Sequence, residues 1–333
     1  MNTGFAYGVD LGWMSQLEER GFYWSDSDGV KKDIIEIMKD KDIDSIRLRL
    51  FVNPPVEGFW NKSDTERCML GFCDTESVLK VAKRVCEAGM RLMLDFHYSD
   101  LFADPQYQQT PLAWINHSED ELVRDVREYT IDTLNTFKTQ GITPEWVQVG
   151  NEINPGMLLP MGDANTNMSG LVRVLNAGYD AVKEVFPNAL VITHLANGAI
   201  KPWIEDWFDA FFEKGGKCDV IGLSHYPYWY KMLEGVTMTD LGDNMASYYE
   251  RYKKPIMVVE VGEDEDDPEK SALLLTKTLD DLRKVPDNNG LGMFYWEPEV
   301  GKDVLPDKYP LGASRLIGEK EIRFTTALNA YKH

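Results

Sequence analysis

Short apolar runs rich in β-branched residues alternate with longer amphipathic stretches along nearly the whole chain, and this alternation limits the possible folds most strongly. Eight runs have the length and composition of buried strands. They are 5–11, 45–51, 91–97, 146–151, 190–194, 220–226, 256–261 and 292–296. Strands that alternate with crossover helices form a parallel sheet, and a count of eight favours closure over an open doubly wound sheet. The sequence therefore predicts an α/β fold, a (β/α)8 TIM barrel.

Helical periodicity fills the intervals between the predicted strands. The predicted helices are 29–40, 74–88, 119–140, 169–186, 201–214, 240–252 and 268–284, with an eighth at 322–331. Asp74 and Ser118 lie where N-caps belong, and Gly89 and Gly141 lie where helices end. Neither a low-complexity linker nor a repeat interrupts the pattern, so residues 1–333 are interpreted as one domain.

A dinucleotide-binding fold is the main alternative with the same alternation. It would carry GxGxxG after the first strand, but residues 8–13 read Gly-Val-Asp-Leu-Gly-Trp. The sequence also lacks the GxxxxGK[ST] phosphate-binding loop. We therefore look for chemistry where a barrel places it, at the carboxyl ends of the strands.

The composition narrows the class of partner. With 35 Lys and Arg against 55 Asp and Glu, the net charge is −20. Nucleic acids and anionic membranes are usually bound through basic patches, so both are disfavoured, whereas a neutral ligand is compatible. The 9 Trp and 15 Tyr residues mildly favour a carbohydrate, because neutral sugars bind to aromatic faces. No run approaches the roughly 18 apolar residues of a membrane-spanning helix.

The cysteines do not form a recognisable metal-binding or disulfide pattern. Cys68, Cys73, Cys86 and Cys218 lack a CxxC or metal-ligand spacing. Cys68 and Cys73 flank a glycine-containing loop, and their spacing leaves both a disulfide and two free thiols open. We expect no metal and no cofactor.

Polar and ionisable residues stand at the ends of the apolar strands. They are Asp10, Arg47 and Arg49, Asp95, His97 and Tyr98, Asn151 and Glu152, His225 and Tyr226, Glu260, and Trp296 and Glu297. A single carboxylate at such a position is usually a salt-bridge partner or a helix cap. The recurrence of polar groups at one end of the predicted barrel is what indicates an active site.

Two glutamates stand out because they end opposite strands. Glu152 closes the fourth predicted strand and Glu260 the seventh, so they can face each other across the mouth of the barrel. Glycosidase chemistry with retention needs two carboxyl groups about 5 to 5.5 Å apart, one as nucleophile and one as acid. Glu260 would be kept ionised by donors such as Arg49 or a tyrosine hydroxyl. Burial and the neighbouring charge would keep Glu152 protonated.

Several segments, in order along the chain, resemble the family 53 glycoside hydrolases, the endo-β-1,4-galactanases. The residues that carry the resemblance are Ile46-Arg-Leu-Arg-Leu-Phe-Val-Asn-Pro54, Asp95-Phe-His-Tyr-Ser-Asp100, Ala103-Asp-Pro105, Trp146-Val-Gln-Val-Gly-Asn-Glu-Ile-Asn-Pro-Gly-Met157, His194-Leu-Ala-Asn-Gly198, Asp219-Val-Ile-Gly-Leu-Ser224, Tyr226-Pro-Tyr-Trp229 and Phe294-Tyr-Trp-Glu-Pro298. The resemblance runs from about residue 5 to 300.

The resemblance implies a role for each matching residue. Glu152 would be the acid/base and Glu260 the nucleophile of a retaining enzyme without a cofactor. Asn151 would bond the sugar 2-hydroxyl, and Trp296 would form a stacking floor. Arg49, His97 and Tyr226 would hold the nucleophile or the sugar. Arg47 could equally be the contacting arginine, because strand register decides which of the two arginines faces the site. The remaining residues implied to bind substrate are Asn53, Asp104 and His225.

The sequence departs from the family pattern at four places. After Glu260 the family usually continues Thr-Gly-Tyr-Pro, whereas this chain has the acidic run 263–267, which we interpret as solvated surface rather than a calcium site. His225 stands where tyrosine is usual, and Phe102 where tryptophan is usual. The segment 301–320 lacks the expected aspartate-tryptophan pattern. The two glutamates are unaffected.

The resemblance implies hydrolysis of internal β-1,4-galactosidic bonds in galactan, including type I arabinogalactan side chains of pectin. Because such a polymer cannot enter a cell intact, we expect a secreted, periplasmic or cell-surface enzyme whose targeting segment is absent from this sequence. Three alternatives stay open. The chain could be a related endo-glycanase acting on mannan, xylan or glucan, a non-catalytic glycan-binding barrel, or a barrel enzyme acting on a phosphorylated metabolite.

Overall fold

Eight parallel strands close into a barrel in the computed structural model, which describes residues 4–332. The strands are β1 (Ala6–Asp10), β2 (Ser45–Leu50), β3 (Arg91–Phe96), β4 (Trp146–Val149), β5 (Leu190–Leu195), β6 (Val220–His225), β7 (Ile256–Val261) and β8 (Gly290–Tyr295). Neighbouring strands pair in the order of the chain, and β1 pairs with both β2 and β8. The predicted TIM barrel is therefore confirmed.

Helices connect the strands on the outside of the barrel. The α-helices are Met14–Glu19, Ile34–Lys39, Thr75–Glu87, Glu119–Thr139, Met168–Val185, Lys201–Glu213, Pro227–Tyr230, Leu241–Tyr252 and Pro268–Arg283, and the 3-10 helices are Leu112–Trp114, Pro286–Asn288 and Ala327–Tyr331. Two predicted caps are confirmed. Asp74 accepts the backbone N–H groups of Glu76 and Ser77, and Ser118 forms a capping box with Glu121.

Apolar side chains from the strands form a plug that fills part of the barrel interior. The rings of Trp146 and Phe294 meet edge to face with centroids 6.0 Å apart. A Cβ atom at Gly8 would lie 2.3 Å from the Phe294 ring, so glycine is needed where this ring fills the barrel. Buried polar side chains form the next layer, towards the carboxyl ends of the strands.

The predicted helix at 322–331 is wrong. Residues Glu321–Phe324 form a strand, followed by the 3-10 helix. Ile322 and Phe324 are buried while the residues between and beside them are more exposed, and this alternation is typical of a strand. The strand pairs with Ser314–Ile317 and with Tyr23–Ser25.

Small sheets outside the barrel shift other predicted boundaries. Lys31–Lys32 pairs with Tyr23–Ser25, so the helix predicted from residue 29 begins only at Ile34, after the N-cap Asp33. Two further two-stranded sheets join Phe59–Asn61 to Arg67–Met69 and Gly156–Met157 to Gly162–Asp163. Among residues 4–332, no helix is both long enough and apolar enough to cross a membrane.

Candidate active site

Glu152 and Glu260 face each other at the carboxyl ends of β4 and β7. One oxygen of each carboxyl group and one ring nitrogen of His194 all lie within 4.8 Å of one another. Glu152 follows β4 in a left-handed backbone conformation, with φ of 47°, which ordinarily costs about 1 kcal/mol or more in a non-glycine residue. The barrel thus brings together two carboxyl groups that are far apart in the sequence, at the short separation typical of retaining glycosidases.

Donors with a positive charge or a hydroxyl group surround Glu260. An Nη2 nitrogen of Arg47 lies 3.0 Å from Oε1, and the Tyr226 hydroxyl donates to Oε2 at 3.0 Å. Burial raises the pKa of Glu260 to about 7, and the positive charge of Arg47 opposes that rise. Both contacts favour the carboxylate form of Glu260.

Glu152 has a different environment. Its Oε1 atom lies 2.6 Å from the Ser224 hydroxyl, and its side chain is buried. Burial raises the pKa of Glu152 well above the usual range, and the nearby charge of Glu260 raises it further. Because Glu260 contacts the guanidinium, we assign the negative charge of the pair to Glu260 and the proton to Glu152.

Arg47 is the cation that organises the polar layer. Its Nη1 atom donates to Asp10 at 2.9 Å, and its Nη2 atom lies 2.8 Å from Asp95 Oδ2. It also donates to Asn151 Oδ1 at 2.8 Å. Burial raises the pKa of Asp10 well above its usual range, with Arg47 opposing the rise, so the layer need not hold a full charge on every carboxyl group.

The sequence names Arg49 at the nucleophile and leaves Arg47 equally open, and the structure places Arg47 against Glu260. Arg49 instead pairs with Glu297 and donates to the Leu70 carbonyl at 2.9 Å. Both arginines belong to β2 and are two residues apart, so they share one face of the strand. They contact different carboxylates because they lie at different depths in the barrel.

His97, Asn151 and Asp104 lie around the acidic pair. The ring of His97 is held by Asp95 at 2.9 Å and by the Ala103 N–H at 2.9 Å, so both nitrogens have protein partners rather than Glu260. Asn151 donates one hydrogen to the Ala103 carbonyl. Asp104 accepts two backbone N–H groups of its own turn, and its charge adds to the rise in the pKa of Glu152.

The other predicted substrate contacts are dispersed around the barrel mouth. Trp296 is half-buried, and its ring lies 5.4 Å from Trp13 and 4.7 Å from Tyr309. His225 lies beside the Tyr230 hydroxyl at 3.2 Å, and burial lowers its pKa to about 4. Asn53 is exposed in the loop after β2, where its backbone N–H donates to Asp100. Their roles in binding stay predictions.

Sequence reasoning gave no role to His194 or Ser224, although both lie in the core of the site. His194 Nε2 lies 2.7 Å from the Ser224 hydroxyl, which in turn contacts Glu152. Gln148 and Tyr309 were also missed. Gln148, His194 and Ser224 lie on strands, where period-two alternation marks them as inward-facing but does not tell which strands meet. Tyr309 lies in the loop after β8, where no such pattern applies.

The acidic run 263–267 is not the uniformly solvated surface that was predicted. Glu263 is 1% exposed and pairs with Lys270 at 2.8 Å. Glu265 is 4% exposed and accepts the Lys302 N–H at 2.7 Å, and burial raises its pKa to about 7. Glu263 and Glu265 are thus buried against Lys270 and Lys302, whereas Asp266 and Asp267 face solvent.

The four cysteines are free thiols in the structure. Cys73 is buried, and its Sγ atom points to the carbonyl oxygens of Leu70 and Gly12 at 3.4 and 3.8 Å. Burial raises the pKa of the thiols of Cys68 and Cys73 to about 12. Of the two states that the spacing left open, the structure has the reduced one.

The cluster of Glu152, His194 and Glu260 has the spacing of a metal site but the bonding of a hydrogen-bonded network. The Arg47 guanidinium already neutralises Glu260. Both ring nitrogens of His194 contact polar protein atoms, Asn151 Oδ1 at 2.9 Å and Ser224 Oγ at 2.7 Å. A buried cation at this place would face Arg47, so the donor set fits a metal poorly.

Removal of Arg47 should destabilise the whole barrel. Arg47→Met leaves Asp10, Asp95 and Glu260 buried without their cation, and the expected loss in the free energy of unfolding is about 3 to 5 kcal/mol. Arg84→Met removes a surface arginine that bridges Glu18 and Asp33, and should cost less than about 1 kcal/mol. Urea denaturation followed by circular dichroism measures both. Equal losses would contradict the role of Arg47.

Comparison with known proteins agrees with this geometry. The family model of glycosyl hydrolase family 53 matches residues 6–330. The chain belongs to glycosyl hydrolase family 53. The family confirms the predicted resemblance and identifies the chain as a glycoside hydrolase, so the facing carboxyl groups lie in a barrel whose known chemistry is cleavage of glycosidic bonds.

Individual relatives of this family 53 chain match it over most of their length. A Niallia circulans protein, described as an uncharacterized protein in the bgaB 5′ region, is 36% identical over 88% of this chain and 83% of its own. The arabinogalactan endo-β-1,4-galactanase of Cellvibrio japonicus is 33% identical over 89% of this chain and 81% of its own. The solved catalytic domain from Ignisphaera aggregans, of the same family, is 28% identical, with a TM-score of 0.82 over 100% of this chain and 96% of that domain.

Proposed function

We propose that this family 53 chain is a retaining endo-β-1,4-galactanase, with Glu260 as nucleophile and Glu152 as acid/base. The observation that carries the proposal is the asymmetric pair of carboxyl groups. Both glutamates are buried, but Glu260 contacts a guanidinium and a phenol hydroxyl, whereas Glu152 contacts a serine hydroxyl. Two carboxyl groups in different protonation states are what a double displacement needs.

The reaction proceeds in two displacements. A Glu260 oxygen attacks the anomeric carbon, the bond to the leaving oxygen breaks, and the Glu152 proton goes to that oxygen. Water then attacks the anomeric carbon of the galactosyl-enzyme, gives its proton to Glu152 and releases Glu260 as a carboxylate. Charge at the anomeric centre develops against Glu260, and Arg47 and Tyr226 hold that carboxylate in position.

Galactan is the substrate that the relatives support. The Cellvibrio japonicus relative and an Aspergillus niger relative are both named as arabinogalactan endo-β-1,4-galactanases. Release of reducing ends from unbranched β-1,4-galactan, mannan, xylan and β-glucan compares the possible polymers. We expect cleavage of galactan with early products of intermediate length. Preference for another polymer would contradict galactan as the substrate but leave the proposed double displacement unchanged. Binding without cleavage would indicate a glycan-binding barrel.

Such a polymer is too large to enter a cell intact, so we propose that the enzyme acts outside the cytoplasm. Fractionation of the producing cells, with galactanase activity assayed in medium, envelope and cytosol, tests this. Activity confined to the cytosol would contradict it.

The pH dependence should reflect the two raised pKa values. As the pH falls through the pKa of Glu260, about 7, the nucleophile becomes protonated and activity is lost. As the pH rises through the higher pKa of Glu152, the acid is lost. We expect a bell-shaped profile of kcat/KM with its acidic midpoint near neutrality, each midpoint belonging to the coupled pair. Rates from pH 4 to 10 measure it, and an acidic midpoint near that of a free glutamate would contradict the assignment.

A further inference from the structure

A short chain of polar side chains leads from Glu152 into the barrel wall. Glu152 Oε1 lies 2.6 Å from Ser224 Oγ, and Ser224 Oγ lies 2.7 Å from His194 Nε2. The other nitrogen of the ring, His194 Nδ1, lies 2.9 Å from Asn151 Oδ1. Ser224 and His194 are 1% and 0% exposed, so water does not compete for these contacts.

The orientation of Asn151 fixes the tautomer of His194. Asn151 Oδ1 accepts hydrogens from Arg47 and Gln148, and Asn151 Nδ2 donates to the Ala103 carbonyl. The atom that faces His194 Nδ1 is therefore an acceptor, so Nδ1 carries the ring hydrogen. The Glu152 N–H also points to Nδ1, but at 3.4 Å this is the weaker contact. Nε2 is left with a lone pair directed at Ser224.

Counting hydrogens shows that the Ser224 hydroxyl cannot donate to both of its neighbours. The Ser224 hydroxyl has one hydrogen but lies between two acceptors, the Nε2 lone pair and a Glu152 oxygen, both at short distance. If Ser224 donates to His194, its contact with Glu152 is a hydrogen bond only when Glu152 supplies the hydrogen. Burial, with the charge of Arg47, lowers the pKa of His194 well below its usual range, so the ring does not supply the missing proton itself.

Charged and polar groups from several strands also face this chain. Those that face Glu152 are Glu260, Asp104, Arg47, Tyr226 and Tyr230, and those that face His194 are Arg47 and His97. Glu260 and Asp104 favour a neutral Glu152, whereas Arg47 favours the carboxylate. The Ser224 hydroxyl forms its side-chain hydrogen bonds with His194 and Glu152 and with none of these groups, so variants of Ser224 test the chain separately from this background.

We propose that His194 and Ser224 are positioning residues that hold the proton on Glu152: neutral His194 fixes the Ser224 hydroxyl so that it accepts a hydrogen bond from protonated Glu152. This rests on the proposed acid/base role of Glu152. When Glu152 gives its proton to the leaving oxygen, the Ser224 hydroxyl must turn from His194 to the new carboxylate. When water returns the proton to Glu152, the hydroxyl turns back.

The direction of a shift in the pH profile tests the proposal. His194→Phe removes the lone pair and frees Ser224 to donate to the Glu152 carboxylate, so the basic midpoint of kcat/KM should fall by roughly 0.5 to 1 pH unit. Ser224→Ala removes the acceptor of the Glu152 proton and should also lower that midpoint. In the double variant the effect of His194→Phe should disappear, because it acts through Ser224. His117→Phe, at a histidine paired with Asp125 on the surface, should leave the midpoint unchanged.

Opposite or absent shifts would overturn the proposal. If His194 instead carried its hydrogen on Nε2, Ser224 would donate to a Glu152 carboxylate, and both variants would raise the midpoint. A purely structural role would lower the melting temperature or kcat without moving the midpoint. Thermal unfolding of each variant identifies a folding defect, and Ser224→Ala remains informative if His194→Phe does not fold.

The tautomer itself can be measured without a substrate. In the protein labelled with ¹⁵N-histidine, and with His194→Phe used to assign the signal, we expect neutral His194 with hydrogen on Nδ1 from pH 5 to 8. Hydrogen on Nε2, or an imidazolium, would overturn the proposal. If the wild type cleaved no β-glycan, the proposed function would fail while this measurement still decided the state of His194.

Discussion

Glu260→Ala should abolish hydrolysis of β-1,4-galactan, with a loss of kcat/KM on the order of 10⁵-fold. The substitution removes the atom that attacks the anomeric carbon, and Glu152 does not replace it, because its carboxyl group is held by Ser224. The variant also leaves Arg47 and Tyr226 without their partner. Reducing ends released per enzyme, measured over hours at high enzyme concentration, give the residual rate.

Two comparisons separate loss of chemistry from loss of folding. Glu145→Gln changes a glutamate just before β4, at the opposite end of the barrel, where it pairs with Arg91 at 2.6 Å. That variant should keep nearly all activity. Formate or azide added to Glu260→Ala should restore some cleavage of an activated aryl β-galactoside, because a small anion fits the space left by the side chain. A folded Glu260→Ala with wild-type activity would rule out Glu260 as nucleophile.

Glu152→Gln should cost about 10² to 10⁴-fold on galactan, since that is the usual contribution of a general acid. The loss should depend on the leaving group. An aryl β-galactoside whose phenol leaves without protonation needs no acid in the first displacement, so the galactosyl-enzyme should accumulate and give a rapid burst of phenol. Stopped-flow absorbance follows the burst.

The product formed with azide gives an independent check on Glu152→Gln. Azide needs no general base, so it should speed turnover of the galactosyl-enzyme and yield a β-galactosyl azide. Equal losses on galactan and on the aryl substrate, with no burst, would mean that Glu152 is not the acid/base.

The barrel could be predicted from the sequence because each strand carries its own signal. Buried β-branched runs such as Ile256–Val261 have a strand's composition, and the capped helices between them, such as Thr75–Glu87, have clear beginnings. The helix prediction for 322–331 was wrong because the strand Glu321–Phe324 forms by pairing with Tyr23–Ser25, which is distant in the sequence. Its local pattern was short enough to fit either element.

The site was only partly predictable, for a geometric reason. Glu152 and Glu260 end strands and could be identified individually. The choice between Arg47 and Arg49 could not be made, since both lie on the same face of β2 and only their depth decides which one reaches Glu260. The contact between His194 and Ser224 depends on the register of β5 against β6, in which His194 lies beside Gly222, and that register is set by packing of the whole barrel.

The most direct test of the central claim is the anomeric configuration of the first product. Wild-type enzyme and β-1,4-galactan are mixed in deuterated buffer, and proton NMR spectra are recorded before mutarotation equilibrates the new reducing ends. The facing pair of Glu152 and Glu260 predicts that the β-anomer appears first and that the α-anomer follows only at the rate of mutarotation. Early α-anomer would show inversion and would contradict the double displacement assigned to these two residues.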